Sequence, residues 1–146
     1  MKILACLLCD RATIREGLLH ILGGGATLLG RPNLPAALDV DLALLLQPDD
    51  PEEVLGDHRI GITVAPEGGS TVAQVEFALM AASLDPFPDP MPNLPISVPL
   101  RNVAVSAYGR YIARVVYDQT VLNELRFSVD KQTSPGVTQA ADSTGP

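Results

Sequence analysis

The chain has 146 residues, 47% hydrophobic and 18% charged, with a net charge of −7 at pH 7. That length supports one domain with one sizeable core, and that apolar content excludes disorder of the whole chain. The acidic balance and the scatter of the 10 basic residues exclude nucleic acid and anionic membrane surfaces as general partners. The low charged fraction leaves polar surface in short supply, which predicts a homo-oligomer or a protein partner. With 13 prolines and 12 glycines between apolar runs, short strands and turns are favoured over long helices.

Residues 2–9 are almost continuously apolar, the pattern of a strand covered on both faces. In a two-layer sandwich one face normally meets water, so a second subunit is the expected cover. Leu4, Ala5 and Cys6 resemble a lipobox. Too little chain precedes Cys6 for the apolar core of about 7–15 residues that a secretory signal needs. No apolar run reaches the roughly 20 residues of a spanning helix. A cytoplasmic protein with both thiols reduced is expected.

Residues 10–16 read as polar and turn-like, and 17–22 return to apolar residues before Gly23, Gly24 and Gly25. Residues 26–29 form a short strand, and two prolines break the chain over 31–35. In 37–47 the helix propensity of leucine and alanine competes with a clear period of two. The period predicts a strand. An acidic loop occupies 48–57. His58, Ile60, Ile62 and Val64 then alternate, and after a turn at 66–69 so do Thr71, Ala73, Val75, Phe77, Leu79 and Ala81. These two segments form a hairpin. Five prolines in 85–95 mark a loop or an extended edge. Ile96, Val98 and Leu100 alternate in the opposite phase to Val103 and Val105, which predicts a bulge or turn near Arg101 and Asn102.

The strongest hairpin signal runs from Tyr108 to Val129, broken at Asp118, Gln119 and Thr120. Tyr111, Ala113, Val115 and Tyr117 share one face of its first arm. Val121, Leu125 and Phe127 share one face of the second, with Asn123 as the exception. Residues 131–146 are too polar to offset their ordering entropy. The chain therefore divides into a β-sandwich domain over 1–129 and a disordered tail over 130–146. The fold class is all-β, a two-layer antiparallel β-sandwich of about eight or nine strands.

Candidate chemistry is sparse. Cys6 and Cys9 form a C-x-x-C, but zinc needs four ligands and no second pair exists. On a strand, positions i and i+3 face opposite ways, so both read as buried structural thiols. Gly23, Gly24 and Gly25 lack the lysine of a phosphate loop and read as a turn or bulge. His58 beside Asp57 could form a dyad, and His20 lies among leucines. A satisfied structural histidine is the preferred reading for both. Asp39 and Asp41 read as a solvated strand face, and Asp10 with Glu16 is equally undistinguished. Asp49, Asp50, Glu52, Glu53 and Asp57 in one loop, with Asp85 and Asp89 in another, are the calcium candidates, without the spacing of a calcium loop. No set combines nucleophile, base and oxyanion donors. No cofactor, and no catalytic or cofactor-binding residue, is expected.

The runs 7–10 (LLCD) and 15–25 (REGLLHILGGG), with Gly109, Arg110 and Tyr111 and the end at Phe127, Ser128 and Val129, resemble an uncharacterised bacterial family of unknown function. That resemblance covers most of 1–129 and implies a compact β-sandwich in a bacterial protein and no activity. Tyr108, Gly109 and Tyr111 entering a strand also resemble the tyrosine corner of immunoglobulin-like sandwiches, without their disulfide cysteines. Tyr108, Gly109, Tyr111, Phe127, Cys6 and Cys9 are accordingly structural residues. The expected function is a non-enzymatic interaction module. The alternative is a small-ligand or calcium-binding sandwich built on the acidic and proline-rich loops.

Overall fold

A computed structural model describes residues 1–79, 86 and 88–132. Alternation of apolar side chains decides which face each strand buries. The strands are β1 (Lys2–Cys9), β2 (Arg11–Arg15), β3 (Leu18–Leu22), β4 (Leu28–Arg31), β5 (Ala36–Ala37), β6 (Asp41–Gln47), β7 (His58–Pro66), β8 (Ala73–Leu79), β9 (Leu94–Pro99), β10 (Ala104–Val105), β11 (Gly109–Tyr117) and β12 (Thr120–Lys131). The described residues contain no α-helix, only a 3-10 turn at Pro51–Glu53. The chain is all-β. Its strands outnumber the eight or nine expected because β2 stands where a turn was read and because β5 and β10 are two-residue pieces.

Two sheets enclose the main core. A five-stranded sheet has the order β4-β12-β11-β7-β8, antiparallel except for the short parallel β12–β4 pair. A three-stranded antiparallel sheet has the order β1-β6-β9. Ile60, Ile62 and Val64 from β7, with Tyr111, Ala113, Val115, Phe127 and Val129, face Leu8, Leu42, Leu44, Leu46 and Val98 across the layer. Each fully buried aliphatic side chain of this kind stabilises the fold by about 1.5–3 kcal/mol. Tyr111 and Phe127 are cross-strand partners and stack with ring centroids 5.6 Å apart.

The segment 37–47 resolves as a strand over its second half. Asp39 takes a left-handed φ of +50° just before the strand, which begins at Asp41, while Leu38 and Val40 on either side still enter the main core. β6 is then paired on both edges and covered on both faces, an environment that overrides the helix propensity of its leucines.

Three local expectations change. First, residues 11–15 are a strand. β2 and β3 pair through a two-residue turn in which Glu16 (φ +53°) and Gly17 (φ +73°) are both left-handed, the backbone of a tight hairpin. Second, Val121 is not on the core face. A register shift after Val115 leaves Leu122 as the extra residue, so Leu122 packs on the core and Val121 is exposed. Third, the final strand runs through Asp130 and Lys131, beyond the boundary drawn at 129. The tail from 133 onward lies outside the described residues, as do Asp85 and Ala81.

The cover for β1 comes from its own chain. Leu7 and Cys9 point away from the main core into a second apolar cluster with Ala12, Leu19 and Ala43. The β2–β3 hairpin therefore folds back over the outer face of β6 and β9. The doubly apolar run of β1 needs no second subunit over Leu7 and Cys9.

Candidate functional site

Among the described residues the β2–β3 hairpin is the most unusual surface. Ala12, Ile14, Leu19 and Ile21 share its inner face, and Arg11, Thr13, Arg15, Leu18, His20 and Leu22 share its outer face. The outer leucines are largely solvent-exposed, Leu18 at 63% and Leu22 at 67%. Ile14 (45%) and Ile21 (39%) are also exposed at the margins of the inner face. Thr13, His20, Ile21, Leu22 and Arg11 line a shallow, mostly apolar depression.

A buried carboxylate holds this hairpin down. Asp41 is fully buried at the end of β6. Its Oδ2 accepts the backbone N–H of Ala12 at 2.9 Å, and both its oxygens accept from Arg101 at 2.9 and 2.8 Å. Ser97 adds a hydrogen bond from its Oγ to the Ala12 carbonyl at 2.8 Å. Burial pushes the Asp41 carboxyl up, but the Arg101 and Ala12 hydrogen bonds outweigh it and hold it below the usual range. Asp39 lies outside the strand and is exposed, pairing with Arg11 at 3.2 Å. The reading of Asp39 and Asp41 as one solvated face is thus wrong. The partner of Asp41 lies 60 positions away, and no local spacing could have revealed it.

Glycine serves the same corner. Gly23 (φ +63°) lies against the Asp10 carboxylate, and a Cβ there would clash with it. A Cβ on Gly24 would come within 2.9 Å of Ile21 and Leu7. These glycines are turn and close-approach residues.

His58 pairs with Asp118, not with Asp57. Its Nδ1 lies 2.9 Å from Asp118 Oδ2 and its Nε2 lies 2.7 Å from the Glu52 carbonyl. Two acceptors suit the doubly protonated ring, and the Asp118 hydrogen bond raises the His58 pKa, aided by the Glu52 carbonyl. The ring stacks on Tyr117 at 5.4 Å, and Tyr117 donates to the Glu53 carbonyl. His58 therefore clamps the acidic loop to the β11–β12 turn, and neither ring nitrogen is open to a substrate. His20 lies on the exposed hairpin face instead.

The calcium candidates disperse. Asp49 and Glu53 bind the Met1 ammonium, and Asp49 also meets Lys2 at 3.0 Å. Asp50 caps the 3-10 turn through the Glu52 N–H at 3.0 Å. Asp57 borders a polar cleft of about 390 Å³ on the outer face of the five-stranded sheet, with Arg59, Thr63, Gln74, Glu76 and Asp118. Arg59 and Glu76 bridge within it at 2.8 Å. Glu52 and Asp89 are exposed. Among the described residues no three Asp, Glu, His or Cys side chains converge to hold a metal.

Cys6 packs against the main core and Cys9 against the second cluster, on opposite faces of β1, and both are free thiols. Burial pushes both thiols up, with the Asp41 and Asp10 charges adding to the effect at Cys9. Tyr111 donates its hydroxyl to the Ala107 carbonyl at 2.7 Å, while the exposed Tyr108 donates to Arg31 at 3.1 Å. Gly109 takes a left-handed φ of +129° at the start of β11. Among the described residues no helix is long and apolar enough to cross a membrane.

No curated protein matches the chain. A model for a family of unknown function, DUF6941, matches residues 4–130, and the chain belongs to that family.

Proposed function

We propose that this member of a family without an assigned activity is a non-enzymatic protein-interaction module, and that it docks through the β2–β3 hairpin. The observation that carries the reading is a concentration of exposed apolar side chains. Of the ten large apolar residues exposed among the described ones, Ile14, Leu18, Ile21 and Leu22 belong to this one hairpin. Scattered exposed leucines are ordinary, but Leu18 and Leu22 on the outer face, flanked by Arg11 and Arg15 and with Ile14 and Ile21 exposed on the inner face, fit a docking surface. The rest of the outer surface is of the usual kind, with Arg59–Glu76 and Arg114–Glu124 ion pairs across the five-stranded sheet.

The reading includes a bacterial, cytoplasmic setting, in keeping with two free thiols and with the family-like run at 15–25. The Tyr111–Ala107 hydrogen bond supports an immunoglobulin-like character for the β11 corner. No geometry among the described residues favours calcium.

The test compares the unmodified chain with a Leu18→Ser/Leu22→Ser double variant, both immobilised and offered a lysate and the free chain itself. The exposed positions let the variant fold, which a melting curve checks. Binding that the double variant loses at least tenfold supports the reading. An unchanged set of bound proteins overturns it.

A further inference from the structure

We infer that the occupant of the hairpin is a second copy of this chain, joined by antiparallel pairing of the two β3 strands about a two-fold axis at His20. This rests on the docking role of the hairpin and specifies its partner. The argument starts from hydrogen-bond direction. The two-residue turn makes Arg15 and Leu18 a hydrogen-bonded pair, and such pairs alternate, so Thr13–His20 and Arg11–Leu22 follow. The N–H and C=O groups of Leu18, His20 and Leu22 therefore point into the hairpin. Those of Leu19 and Ile21 point out along the free edge, and no protein partner for them occurs among the described residues.

The other edges are blunted in the ways that sheet proteins use against edge-to-edge pairing. The outer edge of β2 is occupied at Ala12 by Asp41 and Ser97. β1 carries Lys2 and a register break after Ile3, and its Leu8 carbonyl already accepts from Gly25 and Ala26. β9 has Pro95 and Pro99, which lack the N–H donor. β8 carries Glu76 at its middle. β4 is four residues long and ends in Arg31. β5 and β10 are only two residues long, and among the longer edge strands β3 alone is free of proline, bulge and formally charged acid or base: Leu18, Leu19, His20, Ile21, Leu22.

That edge is also complementary to itself. Antiparallel pairing about His20 sets Leu18 against Leu22 of the partner subunit and Leu19 against Ile21 of the partner subunit. The inner face then matches apolar with apolar, the outer face sets a leucine pair on either side of the central His20 pair, and the four outward N–H groups of the two strands find carbonyls. Pairing through β2 would instead set arginine against arginine, which is unfavourable. A closed two-fold contact uses the same patch on both copies and leaves no open edge for further growth there.

The register makes the test specific. Residue 20 and its symmetry mate form a non-hydrogen-bonded pair with Cα atoms about 4.5 Å apart, inside the range a disulfide spans. A His20→Cys variant of the full chain is treated with oxidised glutathione, which accepts the two electrons as two thiols join. Thr13→Cys, on the same hairpin face but one strand from the axis, is the control. The expected result is twice the monomer mass for the unmodified chain by sedimentation, a covalent dimer for His20→Cys, and none for Thr13→Cys. Ile21→Pro, which removes an outward donor, and His20→Asp, which sets two carboxylates across the axis, should each shift the chain to monomer while leaving it folded. A monomer at all concentrations overturns the proposal, and so does a dimer that His20→Cys does not cross-link. If either occurs while Leu18→Ser/Leu22→Ser still loses a bound protein, the docking role of the hairpin stands without the second copy.

Discussion

Asp41 and Arg101 form a two-pronged ion pair at 2.9 and 2.8 Å, with the carboxylate fully buried and the guanidinium at the surface. The same carboxylate holds the Ala12 N–H, so one side chain joins β6, the turn after β9 and the exposed hairpin. The hairpin is thereby tied to the core through a buried charge, beside the Ser97–Ala12 hydrogen bond and the second apolar cluster.

Removing that charge should loosen the hairpin and the fold together. Asp41→Ala leaves the Ala12 donor without its partner and should cost about 2–4 kcal/mol. Asp41→Asn keeps an acceptor and should cost less. Urea unfolding gives both values, and hydrogen exchange over residues 11–22 should accelerate more than over β7. The folded pKa of Asp41 is lowered, so its contribution is present above the ordinary carboxylate value of about 3.8 and is lost as pH falls through the folded value. Asp41→Ala should remove that part of the acid sensitivity.

The His58–Asp118 pair should show itself in the opposite pH range. The His58 pKa is raised by Asp118, so the stabilisation is complete below the ordinary value of 6.5 and is lost as pH rises through the folded value. Melting temperature should therefore fall across that window on the alkaline side. His58→Phe retains a ring to stack on Tyr117 but has neither hydrogen bond, and its melting temperature should be flat there. An unmodified chain with the same flat profile would count against a charged His58 clamp.

The two corner tyrosines should behave differently on loss of the hydroxyl. Tyr111→Phe leaves the Ala107 carbonyl without its 2.7 Å donor and should cost about 1 kcal/mol. Tyr108 is exposed, and Tyr108→Phe should stay within about 0.5 kcal/mol of the parent. Chemical denaturation of both variants checks the contrast.

Legibility from sequence followed the range of the interactions. The β7–β8 hairpin was readable because Ile60, Ile62 and Val64 alternate against Val75 and Phe77 across a short turn. The β11–β12 pair was readable except at Val121, where the bulge at Leu122 reverses the phase and no residue type announces it. In β2 the alternation of Ala12 and Ile14 with Arg11, Thr13 and Arg15 was present, but the polar set dominated and Glu16-Gly17 is a weaker turn signal than Asn-Gly. The candidate surface was lost with that strand. The sequence suggests a solvated face for Asp41 and a satisfied structural histidine for His58, but it names neither partner, because Arg101 and Asp118 each lie 60 positions away.

The most direct measurement is hydrogen–deuterium exchange at the Leu19 and Ile21 amides of the full chain across a dilution series. Pairing through β3 requires both amides to exchange slowly in concentrated protein and fast in dilute protein, while Leu18, His20 and Leu22, bonded within the hairpin, change little. Equal exchange at every concentration would contradict the account, as would concentration-dependent protection that falls on β8 or β9 instead.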